Sequence, residues 1–212
     1  MTVVKRLFQF DVDSTFITQE VIELLASKAG VLDEVARITE SAMRGEIDFS
    51  ESLVARVGLL KGLPESALSE VQSEIVLTDG AEELVVNLHA LGHCVSLVGG
   101  GFINVIGPLA QQLRIDFVRA NELEVIDGML TGKVIGRIID RAAKATALAE
   151  FAKAAGVAMH NTVAIGDGAN DIDMLKLAGV SIAFNAKPIV VELADLAITE
   201  PSLKSVLTLL DL

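Results

Sequence analysis

Two acidic loops and one lysine carry the chemistry that this 212-residue chain offers. Asp11 and Asp13 follow directly on the apolar run Leu7-Phe8-Gln9-Phe10, and Gly166-Asp167-Gly168-Ala169-Asn170-Asp171 follows Thr162–Ile165. Between them stand a triple glycine, Gly99 to Gly101, behind the apolar run His93–Val98, and Lys144 in Ala142-Ala143-Lys144-Ala145. Carboxylates gathered in one place are costly to desolvate unless a cation lies among them. A hard divalent ion held by oxygens, Mg²⁺ first, meets that need, and glycines let the backbone approach it closely. An Asp-x-Asp pair alone says little, since it reads equally as a solvated turn or helix cap and also serves nucleotide-metal sites in sugar transferases. Its position behind a buried strand, repeated by a second acidic loop behind another, points to one shared site. Lys144 alone reads equally as a snorkelling helix lysine. A phosphate entering carboxylates in a chain of net charge −12 nevertheless needs local positive charge, which Mg²⁺ and one lysine provide.

The elements that must bring these residues together are legible in the periodicity. Val3-Val4 and Leu7–Phe10 predict a buried strand running into a turn. From Thr18 to about Glu74 the spacing is helical, in four stripes: Val21, Leu24, Leu25; Val35, Ile38, Ala42, Met43; Leu53, Val57, Leu60; Leu68, Val71, Ile75. Gly30, Gly45 and Gly62-Leu63-Pro64 separate them, so a compact four-helix insert follows the first strand. Strand and helix then alternate. Asp79 is the expected N-cap of a helix to Ala90, His93–Val98 a strand, and Phe102–Leu113 a helix bent near Gly107-Pro108. Leu123–Ile126 and Met129–Val134 flank the hairpin signal Asp127-Gly128, and an Ala-rich helix spans about Asp140–Ala155. Strands at Thr162–Ile165, Ser181–Phe184 and Leu196–Ile198 and a helix at Asp171–Ala178 complete the chain. This order predicts an α/β fold with a doubly wound, mostly parallel sheet, whose ligands gather at the carboxyl ends of the strands.

Composition narrows the function classes. With 51% apolar and 22% charged residues the chain can build a core. Seventeen Lys and Arg against 29 Asp and Glu, with no basic run, argue against nucleic-acid or membrane partners. One cysteine, Cys94, excludes a disulfide framework, and in its apolar run it reads as a small core residue. There is no secretory pattern and no long apolar stretch, so a cytoplasmic protein is expected, with no regulatory domain ahead of Met1. Gly128-Met129-Leu130-Thr131-Gly132-Lys133 is one residue short of a phosphate-binding P-loop and lacks its Ser/Thr.

Phe10-Asp11-Val12-Asp13-Ser14-Thr15, Gly100-Gly101-Phe102, Lys144 and Gly166–Asp171 match in order the four motifs of the haloacid dehalogenase-like hydrolases. The resemblance covers essentially the whole chain. Within that superfamily, the Asp-x-Asp-Ser-Thr form, the helical insert and the Gly-Asp-Gly-Ala-Asn-Asp loop are similar to the phosphoserine phosphatase branch. The resemblance implies an α/β core of residues 1–15 and 76–212 under a helical cap of residues 16–75. It implies Asp11 as nucleophile forming an aspartyl-phosphate, and Asp13 as the acid that protonates the leaving oxygen and then activates water. Asp11, Asp167 and the Asp13 carbonyl would hold Mg²⁺ with support from Asp171, and Lys144 would neutralise the phosphate. Asn170 and the Gly100 amide would contact substrate or its phosphoryl oxygens. On the cap, Arg56 would fork onto the substrate carboxylate and Glu20 would take its ammonium, with Met43 and Phe49 packing around it. By residue type alone, Arg56 and Glu20 also read as surface charges and Met43 as cap core.

One position departs from the pattern. Motif two of the family offers a Ser or Thr hydroxyl to a phosphoryl oxygen, and here Gly99 stands in that place. A lost bond to a charged group costs about 1.5–3 kcal/mol, roughly tenfold to a hundredfold in rate. The resemblance thus implies a slowed but competent, Mg²⁺-dependent phosphoserine phosphatase of serine biosynthesis, monomeric or homodimeric, acting on a small phosphomonoester. Two other functions stay open at this point: phosphoryl transfer to another alcohol, and a catalytically weakened relative that binds or regulates. Phe16 is bulkier than the aliphatic residue of the family and is expected to tighten the cap hinge.

Overall fold

The computed structural model describes residues 4–43 and 46–212, with Met43 described by its backbone alone. Val3, Gly45 and the Met43 side chain therefore lie outside the described residues. Seven strands form one sheet: β1 (Leu7–Asp11), β2 (Cys94–Phe102), β3 (Phe117–Ile126), β4 (Met129–Ile135), β5 (Thr162–Gly166), β6 (Val180–Phe184) and β7 (Leu196–Ile198). Their order is β4-β3-β2-β1-β5-β6-β7, parallel throughout except for the β3–β4 hairpin. β1 is central because both of its faces are apolar: Leu7, Phe8 and Phe10 are wholly buried. The chain winds one way from β1 to β2 and β3 and the other way through β5, β6 and β7. The carboxyl end of β1 is therefore a topological switch point, where α/β sheets open a crevice.

Helices cover both faces. On one side α5 (Ala81–Ala90) and α6 (Ile103–Gln112) set Leu84, Leu88, Val105 and Ile106 against Phe8, Phe10 and Leu97. On the other, α7 (Arg141–Ala155) and α8 (Ile172–Leu177) pack Ala147, Leu148, Phe151 and Leu175 against Leu7 and Val98. Short helices α9 (Pro188–Val191) and α10 (Ser205–Leu209) follow later strands. α7 begins where Asp140 accepts a hydrogen bond from the Ala143 N–H and ends at left-handed Gly156.

The insert consists of α1 (Val21–Ala29), α2 (Leu32–Met43), α3 (Phe49–Gly58) and α4 (Ser66–Glu74). It meets the sheet domain along two seams. At the first, the entering and leaving segments pair: Thr18 N–H donates to Val76 O (3.0 Å) and Thr78 N–H to Phe16 O (3.0 Å). The Gln19 side chain extends this ribbon, donating to Glu74 O and accepting from Val76 N–H. At the second, the α3–α4 loop pairs with the β-hairpin: Gly62 N–H to Leu130 O (2.8 Å), Leu130 N–H to Leu63 O (2.9 Å), Glu65 N–H to Gly128 O (2.8 Å).

Several expectations need correction. Asp79 does not cap α5; its carboxylate accepts from Ser202 and pairs with Lys204, and left-handed Gly80 holds the N-cap position. β2 runs on through the three glycines to Phe102, and β3 starts six residues earlier than the expected Leu123 because its first half is a parallel strand beside β2. α6 is one helix, Ile103–Gln112, with Pro108 inside it. Phe16 stands at the first seam: its wholly buried ring packs edge-on against Phe10, and its carbonyl accepts from Thr78 N–H.

Candidate active site

The first acidic loop is a single wide turn, Val12–Phe16, closed by Ile17 N–H to Val12 O five residues back. Inside it Ser14 adopts a left-handed backbone (φ 57°), a costly conformation for a non-glycine residue. From there its hydroxyl donates to Glu20 Oε1 at 2.7 Å, which binds the start of the insert to the loop. Asp13 accepts the Val21 N–H at the first residue of α1. Thr15 donates to Asp167 Oδ1 (3.3 Å), joining the two acidic loops, and Thr78 donates to Thr15 O.

Lys144 lies one turn into α7 and is 1% exposed. Its ammonium donates to Asp11 Oδ1 at 2.5 Å and to Asp171 Oδ1 at 2.7 Å, both carboxylates being buried. The second oxygen of Asp171 accepts the backbone N–H groups of Asp167 and Gly168. Gly166 is required here, since a Cβ would lie 2.6 Å from the Asp171 carboxyl. Gly101 is required likewise: a Cβ there would fall 2.9 Å from Asp13 Oδ2.

The charge balance is unfavourable without a further cation. Burial, then the Asp171 carboxylate, hold Asp11 well above the ordinary carboxylate range, against the pull of Lys144. Burial, then Glu20, push Asp13 up to about 7, and burial, then Asp171, push Asp167 up to about 6. Burial works against the charge of Lys144, but its pairs with Asp11 and Asp171 prevail and raise its pKa. Oxygens of Asp11, Asp167 and Asp171 all lie within 4.8 Å of one another. Among the described residues no donor reaches Asp11 Oδ2 or Asp167 Oδ2. Buried, mutually repelling oxygens without protein donors fit a hard cation.

The insert brings its own residues to the same crevice. Phe49, half-buried at the start of α3, reaches Gly100: a Cβ on that glycine would meet its ring at 3.1 Å. Arg56 donates to Ser52 O and to Thr39 Oγ1. Burial lowers its pKa, opposed by the nearby charges of Glu20, Asp13 and Glu23, yet among the described residues no carboxylate lies within ion-pair distance of it. Asn170 sits against Gly168 in the second loop. Gly99 is buried, and the space above it belongs to Val12, whose Cβ and Cγ2 would each lie 3.0 Å from a Cβ at that position.

The structure thus draws Asp11, Asp13, Lys144, Asp167, Asn170 and Asp171 into one site with Gly99 and Gly100, and brings Glu20, Phe49 and Arg56 to its rim. Met43 ends α2, and its side chain is outside the described residues. Sequence reasoning did not assign Ser14, Thr15 and Thr78, which brace the carboxylates. Ser14 and Thr15 stand inside the first motif, whereas nothing near Thr78 signals its role.

A sequence model of the haloacid dehalogenase-like hydrolases matches residues 8–176. A phosphoserine phosphatase of Mycobacterium tuberculosis is 54% identical over 206 residues, 97% of this chain and 50% of that protein, so the chain spans half its length. A phosphoserine phosphatase of Streptococcus thermophilus is 51% identical over 211 residues, 100% of this chain and 98% of that one. A solved structure of a phospho-aspartyl intermediate analogue of phosphoserine phosphatase superposes with a TM-score of 0.91 at 43% identity, covering 97% of this chain and 99% of the other. With the motif residues gathered at the switch point of the sheet, this chain belongs to the haloacid dehalogenase-like hydrolase family.

Proposed function

We propose that the chain hydrolyses L-phosphoserine to L-serine and phosphate with Mg²⁺, as a cytoplasmic enzyme of serine synthesis. The observation that carries this reading is the pairing at the rim of the site. Arg56, a guanidinium with no carboxylate in ion-pair distance among the described residues, and Glu20, a carboxylate, stand close to Asp13. One cation and one anion are what the carboxylate and ammonium of a serine head group require, and the half-buried ring of Phe49 lies against Gly100 of the glycine loop. The relatives named as phosphoserine phosphatases support the same substrate. Among the described residues no helix is long and apolar enough to cross a membrane.

The chemistry follows from the core residues. A carboxylate oxygen of Asp11 attacks phosphorus, and the bond from phosphorus to the seryl oxygen breaks. Asp13, whose pKa of about 7 lets it hold a proton near neutrality, gives that proton to the leaving oxygen. It then takes a proton from the water that attacks the aspartyl-phosphate, and inorganic phosphate leaves. Lys144 keeps Asp11 oriented and offsets charge on the transferring group. A bound Mg²⁺, held by Asp11, Asp167 and the Asp13 carbonyl with Asp171 in support, would neutralise the carboxylates and polarise a phosphoryl oxygen. Residues 16–75 serve as a cap over the core formed by 1–15 and 76–212, and substrate enters as the cap moves.

The test is phosphate release from a panel of monoesters with and without Mg²⁺, with Asp11→Asn as control. Phosphoserine should be preferred over phosphoethanolamine, which lacks the carboxylate, and over glycerol phosphate, which lacks both recognition groups. Equal turnover of all three would overturn the substrate assignment, and no turnover above the control would favour the weakened relative.

A further inference from the structure

Outside the residues that touch substrate or metal, one buried side chain links two parts of the site. β2 and β3 pair through Ser96↔Phe117, Leu97↔Val118 and Val98↔Arg119, then lose register and meet again only at Phe102↔Asn121. In the gap lie Gly99, Gly100 and Gly101, which have no residue of β3 opposite them in the register. A part-buried carbonyl there is served by another donor. Asn121, 1% exposed at the upper part of β3, supplies it: its Nδ2 donates to Gly100 O at 2.7 Å. Its Oδ1 accepts the Ile139 N–H at 2.9 Å, one residue ahead of Asp140, the N-cap of the helix that carries Lys144.

We propose that Asn121 is a positioning residue for phosphoryl transfer, fixing the glycine loop against the entrance to the lysine helix. The peptide joining Gly100 and Gly101 is planar, so holding its C=O on Asn121 turns its N–H to the opposite side of the loop. It also fixes the place of Gly101, whose Cα leaves room for the Asp13 carboxyl. The task selects an amide. One end must donate and the other accept, without water, and among side chains of this length only asparagine does both. Aspartate would keep the Ile139 bond but set an anion against the Gly100 carbonyl, and alanine would lose both bonds.

This assignment rests on the phosphatase reading, so the test has an arm that does not depend on it. Asn121→Asp and Asn121→Ala are compared with the parent and with Ser181→Ala, which breaks the Ser181–Asp195 bonds at the far side of the sheet and serves as a destabilised control. Amide hydrogen exchange reads the tether directly. Protection at Ile139 should survive in Asn121→Asp and be lost in Asn121→Ala. Turnover of phosphoserine, measured well below each melting temperature, should fall tenfold or more in kcat in both variants with KM within threefold, and stay near the parent in Ser181→Ala. If the parent itself has no phosphatase activity, the phosphatase reading fails, and the exchange pattern alone decides whether the tether exists. Unchanged exchange at Ile139 in Asn121→Ala, or a kcat for Asn121→Asp within twofold of the parent, would overturn the proposal.

Discussion

The two halves of the site are built on opposite principles. In the core half, Lys144 is bound by two carboxylates, and Asp171 uses both oxygens on protein donors. On the insert half, among the described residues, Arg56 donates to a backbone carbonyl and a threonine hydroxyl, and the Glu20 side chain accepts from Ser14. The difference matches what each half must do. Groups that stabilise a transition state act best when they are already fixed and dry, because no reorganisation is then needed during the reaction. Groups that choose a substrate keep bonding capacity in reserve, and a charge at the rim gives it up only when the partner arrives. On the proposed reading, a cap built in this way would move with the reacting groups of the core undisturbed, apart from Asp13 beside the first seam.

The sharpest way to break the comparison is to remove the central cation. Lys144→Met leaves Asp11 and Asp171 buried and facing each other without a counter-charge. Loss of one member of a buried ion pair costs about 3–5 kcal/mol, and here the remaining charges also repel. Thermal melting should show a marked loss of stability, partly recovered by millimolar Mg²⁺, with turnover at background. A variant that melts like the parent would mean that the core half is not held together by this lysine. Arg56→Gln is the counterpart on the rim. Among the described residues it removes no ion pair, so the melting temperature should barely move. KM for phosphoserine should rise about tenfold to a hundredfold, in line with roughly 1.5–3 kcal/mol for a charged hydrogen bond. KM for phosphoethanolamine should not change, and an equal rise for both substrates would remove the carboxylate from the role of Arg56's partner.

The pH dependence separates the halves by sign. Burial pushes Asp13 up to about 7 and Asp167 up to about 6, from an ordinary value of 3.8. A carboxyl raised on folding contributes stability that is complete below its unfolded value and is lost as pH rises through the folded one. Without divalent cation, the melting temperature should therefore fall between about pH 5 and about pH 8. Asp79 and Asp195, lowered by hydrogen bonds from Ser202 and Ser181, are ionised throughout that window and add nothing to the slope. Mg²⁺ should raise the melting temperature at about pH 8 and much less at about pH 5, where the ion must displace protons. An Mg²⁺ effect of equal size at both ends would contradict a cluster that holds protons in place of metal.

Legibility followed the same division. The motif residues could be placed because each follows a strand, and strands of alternating or continuous apolar residues are visible locally. β7 and the Ala-rich α7 were readable almost to the residue. The first half of β3 was not, because Phe117–Glu122 has neither clean alternation nor a full apolar run, and its pairing partner is 21 residues away at Ser96. Asp79 misled for the opposite reason: its type suits an N-cap, but Ser202 and Lys204, more than 120 residues on, bind its carboxylate instead. Ser14, Thr15 and Asn121 share the difficulty. Their types are ordinary, and their roles exist only through partners that the fold brings near.

The smallest expected effect lies where the two halves meet the glycine loop. Gly99→Ser would restore the hydroxyl that the family pattern offers to a phosphoryl oxygen, worth about 1.5–3 kcal/mol if fully used. Its Cβ would stand 3.0 Å from both Cβ and Cγ2 of Val12, which is itself fixed between Asp11 and Asp13. Overpacking of that kind costs about 1–3 kcal/mol, so gain and strain nearly offset each other. kcat should rise by less than tenfold while the melting temperature drops. A hundredfold rise at unchanged stability would show that Val12 yields freely. The core half would then be less rigid than its ion pairs suggest, and the glycine would be withholding the full strength of one hydrogen bond from the reaction.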